Sequence, residues 1–435
     1  MFVLCVAIRV IQGIAAFLPV SMCVGRVNWG ALSAPAVAAG AVSSGMAIGV
    51  FADRRLRSAF GPKVIVCLVL LVLTAGLAAL GLRSDPEFVI TIGFVLGLVV
   101  GTDWSAISEL ARRSLSTSTR WKGIRIWTIA FFAGIALTIV FQGPPAIIFT
   151  AAAASAMCLI VAIAKDFGEM EARAEGPTAD TMMAELAATE HAARELEAAT
   201  VAGASKEAGE SEGDGTGEEC DATECCGGSK PWQQTSFGHG VLLSTVGWTV
   251  MFAGLQMLVH SAATQESPLL FALIGGGFIL GAALIFSAAP ATGYAVALLP
   301  FLIVAIGGSL VSCTATPEGW LSKACLFFLT LSFGAIHCGV KLMTGELFSD
   351  CSSDPLRTRV IASSLFAASI TVPTVLTLQS LLPVGPWKAI PILLVLISGI
   401  AGLRSLPSPV VSSMGEEDPD VPEDELQDVM ATIAE

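Results

Sequence analysis

The chain has 435 residues, 54% of them hydrophobic and 14% charged, and a mean hydropathy of +0.76. That balance excludes an ordinary water-soluble domain of this length, and with a net charge of −13 nothing suggests a nucleic-acid binder. The acidity is local: segment 165–230 carries −12 and the tail 406–435 carries −9, which leaves +8 on the rest.

A helix needs about 20 apolar residues to cross the hydrocarbon core of a bilayer. Windows of that kind lie near 2–24, 31–52, 63–82, 87–107, 124–142, 145–164, 240–260, 268–288, 293–312, 321–343, 360–383 and 388–405. They do not alternate as membrane strands would, so the chain reads as an all-α integral membrane protein. The runs are numbered spans 1 to 12. Residues 1–164 and 240–405 make two six-helix bundles, joined by an acidic linker, 165–239, and followed by an acidic tail, 406–435. The first run is too long for a cleaved leader and reads as a retained span.

Basic residues in short loops mark the cytoplasmic side. Arg54, Arg55, Arg57 and Lys63 follow span 2; Arg112, Arg113, Arg120, Lys122 and Arg125 follow span 4; Arg357 and Arg359 follow span 10; Arg404 follows span 12. The opposite loops hold only Arg26, Arg83, Lys323 and Lys388. Both termini and the linker are therefore expected in the cytoplasm, with the chain in a cytoplasmic (inner) or plasma membrane.

Spans 4 and 10 repeat at an offset of 237. Gly97 matches Gly334, Glu109 matches Glu346, Leu110 matches Leu347, and Arg120 matches Arg357. A parallel repeat of six spans sets two halves face to face around a central cavity. The loop after span 2 reads "GVFADRRLRSAFGPK", with Gly49, Asp53 and Arg54 at set spacing, then Arg55, Arg57, Gly61 and Lys63.

With twelve spans and that loop, the chain resembles the major facilitator superfamily, whose signature there is broadly G-x-x-x-D-[RK]-x-G-[RK]-[RK]. Leu56 replaces the second glycine, and the corresponding loop of the second half, "FSAAPATGY", has lost the motif. The resemblance implies two six-helix bundles and secondary transport by alternating access. It also implies a cytoplasmic latch built from Gly49, Asp53, Arg54, Arg55, Arg57, Glu109, Arg120, Glu346 and Arg357. That latch would set Asp53 near the start of span 11. Over about 40 residues, "RVNWGALSAPA" and "DRRLRSAFG" are also similar to the bacteriochlorophyll-delivery, light-harvesting assembly branch of that superfamily. Arg26, Val27, Leu32, Pro35, Ala36, Arg57, Ser58 and Gly61 match in order. That likeness implies a non-transporting pigment-delivery or membrane-complex assembly factor.

Polar residues inside spans are costly and tend to mark function. Arg9 lies in span 1, three residues before Gln12, and either serves a pathway or snorkels to the surface. Asp103 in span 4 either pairs with Arg9 or titrates, or it faces water at a helix end. His337 and Lys341 lie four apart on span 10 and so share a face, which suits an anionic or proton-coupled substrate. Gln256 and His260 on span 7 are expected to rim the outer mouth. Glu109 and Glu346 sit at helix ends, where local arginines would pair with them.

Within the linker, residues 179–199 read as an Ala- and Glu-rich helix that offers a thin apolar stripe to a protein partner. Residues 202–230 have the composition of a disordered segment. Cys220, Cys225 and Cys226 group there as soft metal ligands in a non-standard spacing, the basis for a metal-responsive transporter as a further alternative. No phosphate loop and no nucleophile with a partnered base is visible, so no enzyme activity and no cofactor is expected. The leading expectation is a secondary transporter of a small solute in a lipid bilayer.

Overall fold

The computed structural model describes residues 1–23, 33–102, 107, 110–111, 120–141, 145–164, 231–263, 267–292, 294–314, 319–347, 354–383 and 386–404. Asp103, Glu109, the linker helix and Cys220, Cys225 and Cys226 lie outside them, as do the side chains of Arg54, Arg57, Arg120, Glu346 and Arg357.

Helices follow the apolar runs. Nine are long and apolar enough, among the described residues, to cross a membrane: Phe2–Met22, Ala34–Asp53, Lys63–Leu82, Ile147–Ala164, Phe237–His260, Pro268–Ser287, Trp320–Met343, Arg359–Leu381 and Pro386–Leu403. These are spans 1, 2, 3, 6, 7, 8, 10, 11 and 12. Three shorter apolar helices, Pro86–Thr102, Ile126–Phe141 and Val296–Ser312, take the places of spans 4, 5 and 9. Large apolar side chains stay exposed along the outside, among them Leu68, Leu71, Phe149, Ile160, Ile303, Phe366 and Leu394. In water such a surface would aggregate, whereas lipid solvates it. The chain is a multi-pass membrane protein.

Burial ranks the spans. Span 7 is 78% buried and spans 1 and 10 are 72% buried, whereas span 6 is 33% buried. The deeply buried spans are those that carry Arg9, Gln12, Gln256, His337 and Lys341.

The stretch after span 2 differs from the expected loop. Helix runs continuously from Ala34 to Leu82 except at Gly61, whose φ of 73° no β-carbon-bearing residue adopts readily. Spans 2 and 3 are therefore two rods meeting at one glycine, with Asp53 and Arg55 on the helical part. At the other end of span 3, Arg83 pairs with Asp85, and the Phe88 N–H donates to Asp85 Oδ2 at 3.2 Å, capping span 4.

Glycines set the packing within each half. A Cβ on Gly45 would strike the Phe94 carbonyl and the Leu98 nitrogen, and one on Gly97 would strike the Val42 carbonyl. In the second half, a Cβ on Gly281 would strike the Leu331 carbonyl and the Ala335 nitrogen, and one on Gly334 the Phe278 carbonyl. These two contacts of spans 2 and 4 thus recur in spans 8 and 10, with residue numbers 236 or 237 higher. Backbones touch there because no side chain intervenes, the close approach that small residues permit between membrane helices.

Candidate binding site between the two halves

Span 1 and span 5 cross at Gly13 and Gly134. A Cβ on Gly13 would meet the Phe131 carbonyl, and one on Gly134 the Val10 carbonyl. That crossing draws together Arg9, one turn from Gly13, and Gln12 beside it with Phe131 and Trp127, about one and two turns from Gly134. Arg9 is fully buried and donates from Nη1 to Gln12 Oε1 at 2.6 Å. Its guanidinium carbon lies 4.4 Å from the Trp127 ring centroid and 4.7 Å from that of Phe131. Snorkelling is thereby excluded: the charge points inward and rests on aromatic faces.

The second half brings another cation to the same two rings. Lys341 Nζ sits 5.1 Å from the Phe131 centroid and 5.9 Å from that of Trp127. One turn along span 10, His337 is 2% exposed and packs edge-on to Phe132 of span 5 at 5.4 Å and to Trp248 of span 7 at 4.8 Å. Phe278 of span 8 closes against Phe132 at 5.4 Å, and Phe252 stacks on Trp248 at 6.2 Å. An aromatic wall therefore crosses the seam between halves, with Arg9 and Lys341 at one end.

Several polar atoms in this region have no hydrogen-bond partner among the described residues: the Trp127 indole nitrogen and both amide atoms of Gln256, whereas His337 Nδ1 lies beside Gly247 of span 7. Buried polar groups are almost always satisfied in folded proteins, so a cluster of exceptions calls for an explanation.

Other sequence-chosen residues fall elsewhere. His260 is exposed at the end of span 7, whereas Gln256 is 2% exposed. One turn apart on span 7, the two differ in depth, Gln256 lying inside and His260 at the surface. Asp53 is 3% exposed and lies one turn beyond Gly49, whose Cα faces Leu98, Gly101 and Thr102 of span 4. Arg55 is exposed. Of the thiols, Cys5, Cys23, Cys158 and Cys338 are buried. Sequence reasoning missed Trp127, Phe131, Phe132 and Trp248. The spacing of Trp127 and Phe131, four residues on one helix face, was the available signal.

The two halves meet closely away from the basic loops. Gly40 of span 2 seats against Pro373 and Ser369 of span 11, where an added Cβ would lie 2.8 Å from Pro373 Cγ and 3.3 Å from the Ser369 carbonyl. Gly275 of span 8 seats against Val140 and Ala136 of span 5, at 2.7 Å from Val140 Cγ2 and 3.1 Å from the Ala136 carbonyl. Both seats lie in the half of the spans distant from Asp53 and Lys63.

The whole chain is similar in backbone to solved transporters. It matches the nucleoside transporter NupG with a TM-score of 0.60 at 12% identity, over 94% of this chain and 99% of that one. It matches the inward open conformation of the xylose transporter XylE from E. coli with a TM-score of 0.64 at 11% identity, over 98% of each chain. A D-xylose-proton symporter gives 0.64 at 11% identity, over 96% of this chain and 97% of that one. At these identities the likeness carries the fold: two six-helix bundles of the major facilitator kind. No family model matches the sequence, and no curated protein matches it.

Proposed function

We propose that the protein is a secondary transporter that moves a small organic anion across the membrane by alternating access, with its binding site at the seam between halves. One observation carries the reading: a cation from each half, buried Arg9 and half-buried Lys341, converges on the same aromatic pair, Trp127 and Phe131. A negatively charged group held there would touch both halves at once, which is what a rocking pair of bundles needs to sense its cargo. Charge-assisted contacts of this kind are the strong ones. The transporter fold of the solved neighbours supports the same conclusion.

The basic loops orient the site. With them in the cytoplasm, the seats at Gly40 and Gly275 close the outer side, and the cargo leaves or enters from within. His337, beside Lys341, is the group we assign to proton coupling. The Asp53 latch, with Gly49, Arg54, Arg55, Arg57, Glu109, Arg120, Glu346 and Arg357, is assigned to the alternate state.

The test is uptake into proteoliposomes of small carboxylates, neutral sugars and nucleosides. The expected result is saturable carboxylate uptake that falls about 10- to 100-fold in Arg9→Gln and in Lys341→Gln, the loss of one charged contact. Uptake of neutral solutes alone, indifferent to both substitutions, overturns the anion. Absence of flux with a co-purifying tetrapyrrole favours pigment delivery instead.

A further inference from the structure

Span 7 is not one uniform helix. Between Pro231–Thr249 and Leu255–Ala263 the backbone forms a π-turn over Val250–Gly254. Such a turn closes i→i+5 bonds and amounts to one residue inserted into an α-helix. At about 100° per residue, eight uninterrupted steps from Trp248 would leave Gln256 about 80° away around the axis; with one residue absorbed, it returns to within about 20°. The turn thus aligns Gln256 with the residue whose ring meets His337.

The turn is held in place. All five of its residues are buried, and a Cβ on Gly254 would lie 2.7 Å from the Phe333 ring, one turn from His337 on span 10. Gln256 itself is 2% exposed, with neither Oε1 nor Nε2 hydrogen-bonded among the described residues. Leaving a primary amide buried and unmatched is costly. A helix distorted in its buried middle, delivering that amide to the face of the site, points to a ligand that completes it.

We infer that Gln256 selects the substrate: its amide receives a neutral hydrogen-bonding group, a hydroxyl or an amide, on the organic anion whose charge Arg9 and Lys341 hold. The inference rests on the anion reading above and narrows it. Gln256 lies about 11 Å along span 7 from Trp248. The cargo is therefore an extended molecule, its neutral polar group remote from its carboxylate.

Pairs of ω-hydroxycarboxylates and plain carboxylates of graded chain length test this by calorimetry on the full chain in nanodiscs, beside thermal unfolding. The wild type is expected to favour the hydroxylated member at one intermediate length by about tenfold or more. In Gln256→Leu that ratio falls toward one, and the unfolding midpoint of the empty protein rises, because an unmatched amide has gone. Deleting Ala253, which restores α-helical register, also removes the preference. A ratio kept in Gln256→Leu, or a falling midpoint with all affinities reduced together, overturns the assignment and makes Gln256 a packing residue. If no carboxylate of either kind binds, the anion reading falls and this one with it. If both bind without a Gln256-dependent preference, only this one falls.

Discussion

Spans 2 and 4 lock together through Gly45 and Gly97, and spans 8 and 10 lock through Gly281 and Gly334 in the same way. Spans 1 and 5 also lock, through Gly13 and Gly134, but their counterparts in the second half do not repeat the device. Adding 236 to 13 and 237 to 134 leads to Thr249 and Thr371, each of which turns its hydroxyl back to a carbonyl of its own helix, Thr245 and Ala367. The π-turn begins at the residue after Thr249. The first half thus has glycine contacts on both helix pairs, and the second has threonines in place of one of them. Shared ancestry of packing coexists with divided chemistry: the first half holds Arg9, and the second holds Lys341, His337 and Gln256.

The sharpest way to break that comparison is to fill equivalent locks. Gly97→Leu and Gly334→Leu each force a side chain into backbone, so both should destabilise by about 3 kcal/mol or more, at the upper end of overpacking. Thermal unfolding in detergent checks it, and a marked inequality between them would mean the halves are alike in outline only. Of intermediate size is the seal between halves. Gly40→Leu and Gly275→Leu put bulk against Pro373 and Val140, and should leave each half folded while shifting the population away from the closed seats, by about 1–3 kcal/mol. Distances between spin labels on spans 2 and 11 would report it; unchanged distances in both variants would mean that the seats do not gate. Smallest is the pair outside both locks. The Arg83 hydrogen bond holds the Asp85 carboxyl below its usual range. A lowered folded-state value contributes stability above the ordinary carboxylate range, and loses it as pH falls through the lowered value. The midpoint gap between wild type and Asp85→Asn should be slight near neutrality and vanish on acidification, with uptake unaffected.

Much of this architecture is legible in the residues. Hydrophobic length places the spans, because lipid leaves an unpaired backbone no alternative. The offset between Gly97 and Gly334 announces the repeat that the glycine contacts display. Arg9, Gln12, His337 and Lys341 stand out because charge and polarity are scarce inside spans. The aromatic partners do not, since Trp and Phe look the same whether they face lipid, a neighbour or a site. The phase of Gln256 is not legible for a related reason: nothing in "TVMFAGLQ" signals that one residue will be absorbed by a π-turn, which rotates every later side chain of the span by about 100°.

The kink at Gly61 has a mechanical corollary. Span 2 bears one of the seats that shut the seam, whereas span 3 turns Leu68 and Leu71 outward. A single glycine at φ 73° is the pivot between them. Whatever tilts span 2 must either flex at that one point or drag a lipid-facing rod through the surrounding acyl chains, so in the transport cycle proposed above the membrane itself acts as a load on that motion.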